Sequence, residues 1–283
     1  MKNKSKGQLF DKMPKSQGNE ALIASLRGTT KCPSFQWCGI DWTTAMENGR
    51  QIHEGQSWMW YDGGQVWYDD NELSLHIEKK PTTIHYWNGK IYKPQLAVGT
   101  IRSVQAFGYG KFSAEIQLPR GRNLWPAFWV VGEGSWPNHG EIDITEQWTN
   151  KRGGYFKIGK PQPPYIIPLT YWDTTTNIHW FDDYYQYWNY DGHRSVGSRR
   201  LPLLCSLKNP TNHFVKYEVE WMPDKITFFV NGHAIRSYGD DVAKWLNDTL
   251  QHVIIDLWTT GLDYTLETPM LIRNFKYTPL VTN

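Results

Sequence analysis

The sequence predicts an all-β protein, an antiparallel sandwich of two sheets. Three observations carry this: apolar and polar residues alternate with period two in several separate runs, Asn231-Gly232 marks a tight hairpin between two such runs, and long amphipathic helical stretches are nearly absent. A chain of 283 residues fits such a fold as one large body, because all-β sandwiches reach roughly 200–250 residues as single domains.

Taken in order, residues 1–30 read as a polar, basic arm with one short helical candidate at Glu20–Arg27. Residues 31–283 form the body, β-rich from about Phe35 and without a linker or repeat that would divide it. Leu73, Leu75 and Ile77 alternate with Ser74, His76 and Glu78. Phe112, Ala114, Ile116 and Leu118 alternate with Lys111, Ser113, Glu115 and Gln117, each set claiming one face of a strand. Ile226, Phe228 and Val230 lead into the Asn231-Gly232 turn, and Val253, Ile255 and Leu257 alternate with Ile254, Asp256 and Trp258. Two segments depart from the pattern and read as long loops: the Pro-rich Ile158–Thr176, and Asp182–Arg200, crowded with Tyr, Trp and charge.

Composition narrows the function classes. The net charge of +2 argues against a nucleic-acid binder that works by neutralising phosphates. No apolar run approaches the ~18 residues of a membrane-spanning helix. The N-terminus lacks the apolar stretch of a signal peptide. Cys32, Cys38 and Cys205 have neither zinc-ligand spacing nor the even count of a disulfide framework. The unusual feature is the aromatic content, with 16 Trp, 16 Tyr and 11 Phe. An indole is hard to bury completely because its N–H needs a partner. Some of these rings therefore belong in a groove, where pyranose C–H faces lie flat on indole, while others fill the core.

The segment that carries chemistry is Gly140-Glu141-Ile142-Asp143-Ile144-Thr145-Glu146. A regular strand would put Glu141 and Asp143 on one face and Glu146 on the other, beside two isoleucines. Burying an unpaired carboxylate there costs several kcal/mol. A one-residue β-bulge near Thr145 returns Glu146 to the acidic face, so a bulge is predicted there. Three carboxylates along one groove suit a retaining glycosidase, in which one attacks the anomeric carbon and another, protonated and ~5–5.5 Å away, donates to the leaving oxygen. Asp143 between them would keep the two end groups in different protonation states. Short acidic patterns also arise on solvated strand faces, so the neighbouring motifs decide.

Those neighbours are Phe107-Gly108-Tyr109-Gly110-Lys111-Phe112, Leu118-Pro119-Arg120-Gly121, Leu124-Trp125-Pro126-Ala127-Phe128-Trp129-Val130 and Trp136-Pro137, followed downstream by Tyr217–Trp221, Asp224–Ile226, Val230-Asn231-Gly232 and Met270–Tyr277. In this order and spacing the chain resembles glycoside hydrolase family 16, the laminarinase, agarase, porphyranase and carrageenase group, over roughly Gly99 to Tyr277. The resemblance implies a β-jelly-roll with a concave substrate cleft and endo-acting, retaining cleavage of a β-linked polysaccharide, a glucan or a galactan. It implies Glu141 as nucleophile, Asp143 as assisting acid, Glu146 as acid/base, and Trp125, Trp129 and Trp136 as sugar-stacking rings. No cofactor is implied for catalysis, and the structural calcium ion of some relatives leaves no signature in this sequence.

The bulged E-x-D-x-x-E spacing separates the chain from the unbulged lichenases and xyloglucan transglycosylases. Two positions depart from laminarinases: Thr100 stands where an Arg is usual, and Ile254–Thr260 replaces a Gly-rich segment. Arg120, Arg122, Lys151, Arg152, Lys157, Lys160 and Arg194 would give either a basic cleft for an anionic galactan or a solvated basic rim. Such a substrate implies work outside the cell or at its surface. Two rival readings use the same sandwich: a non-catalytic carbohydrate-binding or adhesion protein, and a structural component, for example of a virus particle, attached through the polar arm.

Overall fold

The computed structural model describes residues 34–46, 51–52, 54–86, 89–133, 139–149, 156–158, 170–181, 193–202, 210–246 and 249–280. The arm 1–30 with its helical candidate, Cys32, Cys205 and Trp136 lie outside the described residues.

Two large antiparallel sheets make the body, a jelly-roll sandwich. In the nine-stranded sheet, Ser34–Trp37, Ile40–Thr43 and Thr100–Ser103 lead from one edge to Gln251–Thr259. Then come Leu124–Gly132, Glu141–Glu146 and Thr170–Phe181, the last also paired with Phe156–Ile158 and His193–Pro202. The seven-stranded sheet runs His233–Tyr238, Ile226–Val230, Val215–Trp221, Gly110–Gln117, Met270–Pro279, Glu72–Leu75 and Val66–Tyr68. A small three-stranded sheet adds one parallel pair, Met59–Tyr61 with Leu96–Val98.

The inward side chains of both large sheets form one core. Phe112, Ala114, Ile116, Val219, Phe228 and Leu73 come from the seven-stranded sheet, and Leu124, Phe128, Val130, Ile142 and Ile255 from the nine-stranded one; all are buried. Each of the larger of these side chains contributes about 1.5–3 kcal/mol on leaving water, so alternation in the sequence becomes the choice of face. Asn231 and Gly232 both adopt positive φ, 50° and 78°, as a two-residue hairpin of this hand requires.

Three expectations are corrected. Thr170–Phe181 and His193–Pro202 are strands rather than loops; the first is rich in β-branched and aromatic residues, which favour strands even where strict alternation fails. Residues 159–169 and 182–192, the rest of those two segments, lie outside the described residues. Leu75 and Ile77 belong to different strands, because the chain breaks at His76, whose backbone N–H donates to Gln65 O. Finally, Gln251–Thr259 is buried at all nine positions: its odd-numbered apolar residues face the core, and its other face is covered as well.

Candidate active site

Glu141–Glu146 lies between Leu124–Gly132 and Thr170–Phe181. Its register against Leu124–Gly132 pairs Glu141 with Val131, Ile142 with Val130 and Asp143 with Trp129, then jumps to Thr145 with Phe128 and Glu146 with Ala127. Ile144 is thus the extra residue of a bulge. Ile144 and Thr145 both turn inward and are buried, and Glu146 emerges on the face that carries Glu141 and Asp143. Gly140 sets the entry to this strand at φ +74°, and a Cβ there would lie 2.9 Å from Leu246 Cγ. Glycine meets both demands.

Strand pairing orders the outer face of the nine-stranded sheet into rows. Glu141 stands beside His179 on one neighbour and Val131 on the other, and Val131 beside His252. The next row is Asn177, Asp143, Trp129, Ile254 and Arg102. Beyond the bulge come Glu146, Ala127, Asp256 and Thr100, and then Trp125 beside Trp258. The Leu124–Gly132 ladder continues past the carboxylate strand, with Gln147 N donating to Pro126 O and Thr149 N to Leu124 O. Trp148 therefore stands opposite Trp125 and on the same face.

The indoles on this face are held by their N–H groups. Trp125 Nε1 donates to Glu146 Oε1 at 2.9 Å, Trp129 Nε1 to Asp256 Oδ2 at 2.7 Å and Trp258 Nε1 to Thr100 Oγ1 at 3.2 Å. Trp125 packs edge-on against Trp258 and stacks on Trp148, with centroids 5.9 Å apart. Glu146 Oε2 accepts a second hydrogen bond, from Asn177 Nδ2 at 2.8 Å. His179 Nε2 lies 3.3 Å from Asp143 Oδ2 and 3.7 Å from Glu141 Oε1.

The carboxyls differ in proton affinity. Burial, and after it the nearby Asp143 charge, push Glu146 up to about 7, against the pull of its hydrogen bonds from Trp125 and Asn177 and of His179. Glu146 therefore carries its proton to near neutrality, which suits a group that must give and take one. Asp256, 1% exposed, is held well above the ordinary carboxylate range by burial, and among the described residues its Oδ1 has no hydrogen-bond partner. Glu141, Asp143 and His179 also offer one ligand atom each within 4.8 Å of one another, a donor set able to hold a divalent cation.

Glu141, Asp143, Glu146, Trp125 and Trp129 thus share one face. Arg120 and Arg122 lie apart from these rows, next to Thr265–Leu266, with Arg122 Nη2 3.9 Å from Asp263 Oδ1. Lys151, Arg152 and Lys160 lie outside the described residues, as do the side chains of Lys157 and Arg194. Sequence reasoning missed Asn177, His179, Asp256, Trp258 and Trp148 as members of the face. A signal existed for Trp148, in phase with Glu146 two residues on.

Comparison with known proteins gives the same family. The model of Glycosyl hydrolases family 16 matches residues 53–272. A glucan endo-1,3-beta-glucosidase of Cryptopygus antarcticus is 52% identical over 125 residues, 38% of this chain and 45% of that protein. A keratan-sulfate endo-1,4-beta-galactosidase of Sphingobacterium multivorum is 36% identical over 169 residues, 56% of this chain and 33% of that protein. The matched stretches span less than half the length of these relatives. The endo-beta-1,3-glucanase structure from Pyrococcus furiosus superposes with a TM-score of 0.55 at 18% identity, covering 87% of this chain and 98% of that one, a likeness of fold.

Proposed function

The chain belongs to Glycosyl hydrolases family 16, and we propose that it is an endo-acting hydrolase that cuts a β-glucan with retention of configuration. Glu141 attacks the anomeric carbon while Glu146 gives its proton to the departing glycosidic oxygen. Glu146, now ionised, takes a proton from water, and the resulting hydroxide displaces Glu141, so both carboxyls return to their starting states. Asp143, beside Glu141 on the strand face, makes ionisation of Glu146 harder and so keeps the acid charged with its proton. No cofactor enters these steps.

The observation that carries the reading is the bulge at Ile144. It brings Glu146 round to the face of Glu141, and there burial and Asp143 hold its proton to about 7. A carbohydrate-binding protein has no need of an acid so held. The glucan assignment is supported by the Cryptopygus antarcticus relative's name. A β-galactan is the second reading, favoured by the name of the Sphingobacterium multivorum relative.

Reducing-end release from laminarin, mixed-linkage glucan and keratan sulfate by the wild type, Glu141→Gln and Glu146→Gln tests this. Release from a glucan by the wild type, with losses of at least about 100-fold in each variant, is the expected result. Release from keratan sulfate alone would move the substrate to the galactan class, and equal activity in all three proteins would refute the roles of both glutamates.

A further inference from the structure

Among the described rings on the outer face, Trp148 is unusual because 41% of it remains in solvent. Its backbone is fixed. Gln147 and Thr149 on either side are buried, and both donate into the Leu124–Gly132 strand. One face of its indole lies against Trp125 at an interplanar angle of 27°. Trp125 is itself immobilised, edge-on against Trp258 and with its N–H on Glu146. Trp148 follows Glu146 by two positions, about 6.6 Å along a strand. The result is a flat apolar ring backed by a locked aromatic row and still 41% in solvent, next to the carboxyl that donates the proton.

We propose that Trp148 is a sugar-binding platform, whose solvent-exposed indole surface takes the C–H face of a pyranose neighbouring the one held at the carboxylates. This rests on the glucan reading above. An uncharged β-linked glucan suits it: a ring with equatorial substituents presents axial C–H groups on both faces and can lie flat on indole without leaving a hydroxyl unpaired. The platform is already rigid, so little ordering is needed on binding. A stacked ring held in this way aids substrate capture more than the bond-breaking step.

The test uses laminarin as the probe. Trp148→Ala should raise KM about tenfold, the equivalent of one stacking contact, with kcat within about twofold of wild type. Trp148→Tyr, which keeps a flat ring, should recover most of the loss. Binding is read separately in Glu141→Gln, with and without Trp148→Ala, by affinity electrophoresis in laminarin gels; the second substitution should weaken retention by a similar factor. Turnover of laminarin by wild type with an unchanged KM in Trp148→Ala overturns the platform and leaves hydrolysis standing. Laminarin binding that needs Trp148, without any turnover, supports the platform and overturns the hydrolase reading. A fall in kcat alone would make the role structural and also overturn the platform.

Discussion

Replacing Asp143 by Asn removes the second-largest influence holding the proton on Glu146. The sign follows from charge: an Asp143 anion opposes a second anion nearby, so its loss makes ionisation of Glu146 easier and lowers its pKa. The rise from the ordinary value of 4.5 to about 7 is on the order of 3 kcal/mol. Burial is the larger cause and survives the substitution, so the expected fall is on the order of one unit. The assay is the pH dependence of kcat/KM on laminarin, in which loss of the Glu146 proton sets the alkaline limb. In Asp143→Asn that limb should move to lower pH, whatever the change in absolute rate. Trp125→Phe supplies the opposite sign. Its lost N–H favours the ionised form of Glu146, so the limb should move to higher pH. An alkaline limb that stays in place in both variants, or moves the same way in both, would refute the assignment of that limb to Glu146 and the electrostatic account with it.

Other expectations follow from the same geometry. A raised pKa in the folded state means that folding favours the protonated carboxyl, so the contribution is complete below pH 4.5 and is lost as pH rises through about 7. Glu146→Gln should therefore be more stable than wild type at pH 8 by up to about 3 kcal/mol and gain far less at pH 4, as urea unfolding at the two pH values would show. Asp256→Asn keeps an acceptor for Trp129 and removes a buried acid, so it should unfold no more easily than wild type. Asp256→Leu strands the Trp129 N–H and should cost about 1–3 kcal/mol in the same assay. Gly140→Ala meets both a positive φ and Leu246, so a loss of about 1–3 kcal/mol is expected, with activity falling as Glu141 shifts.

The parts of this protein that were legible from sequence are those in which a local conflict has a single cheap solution. Glu146 beside two isoleucines demanded a bulge, and the register shows one, with Ile144 as the added residue. Asn231-Gly232 offered its φ values directly. The strand Thr170–Phe181 was hidden because its threonines and aromatics do not alternate and a Pro-rich stretch precedes it. Asp256 was hidden for another reason. Period-two alternation marks the inward face of Gln251–Thr259, but nothing local reveals that neighbours cover the outward face too. The pairing of each indole N–H with Glu146, Asp256 or Thr100 depends on register between strands up to 158 residues apart in sequence, which no local pattern contains.

The central step is the bond that Glu141 forms to sugar. The measurement is mass spectrometry of the protein after exposure to a laminaribiosyl fluoride bearing fluorine on the carbon beside the anomeric centre. Fluoride leaves readily, and the neighbouring fluorine slows release of the glycosyl group from the enzyme. A mass increase of one disaccharide, located to Glu141 in the peptide map and absent from Glu141→Gln, is the predicted result. Turnover of natural laminarin by a protein that gains no adduct, or an adduct on another residue, would contradict it.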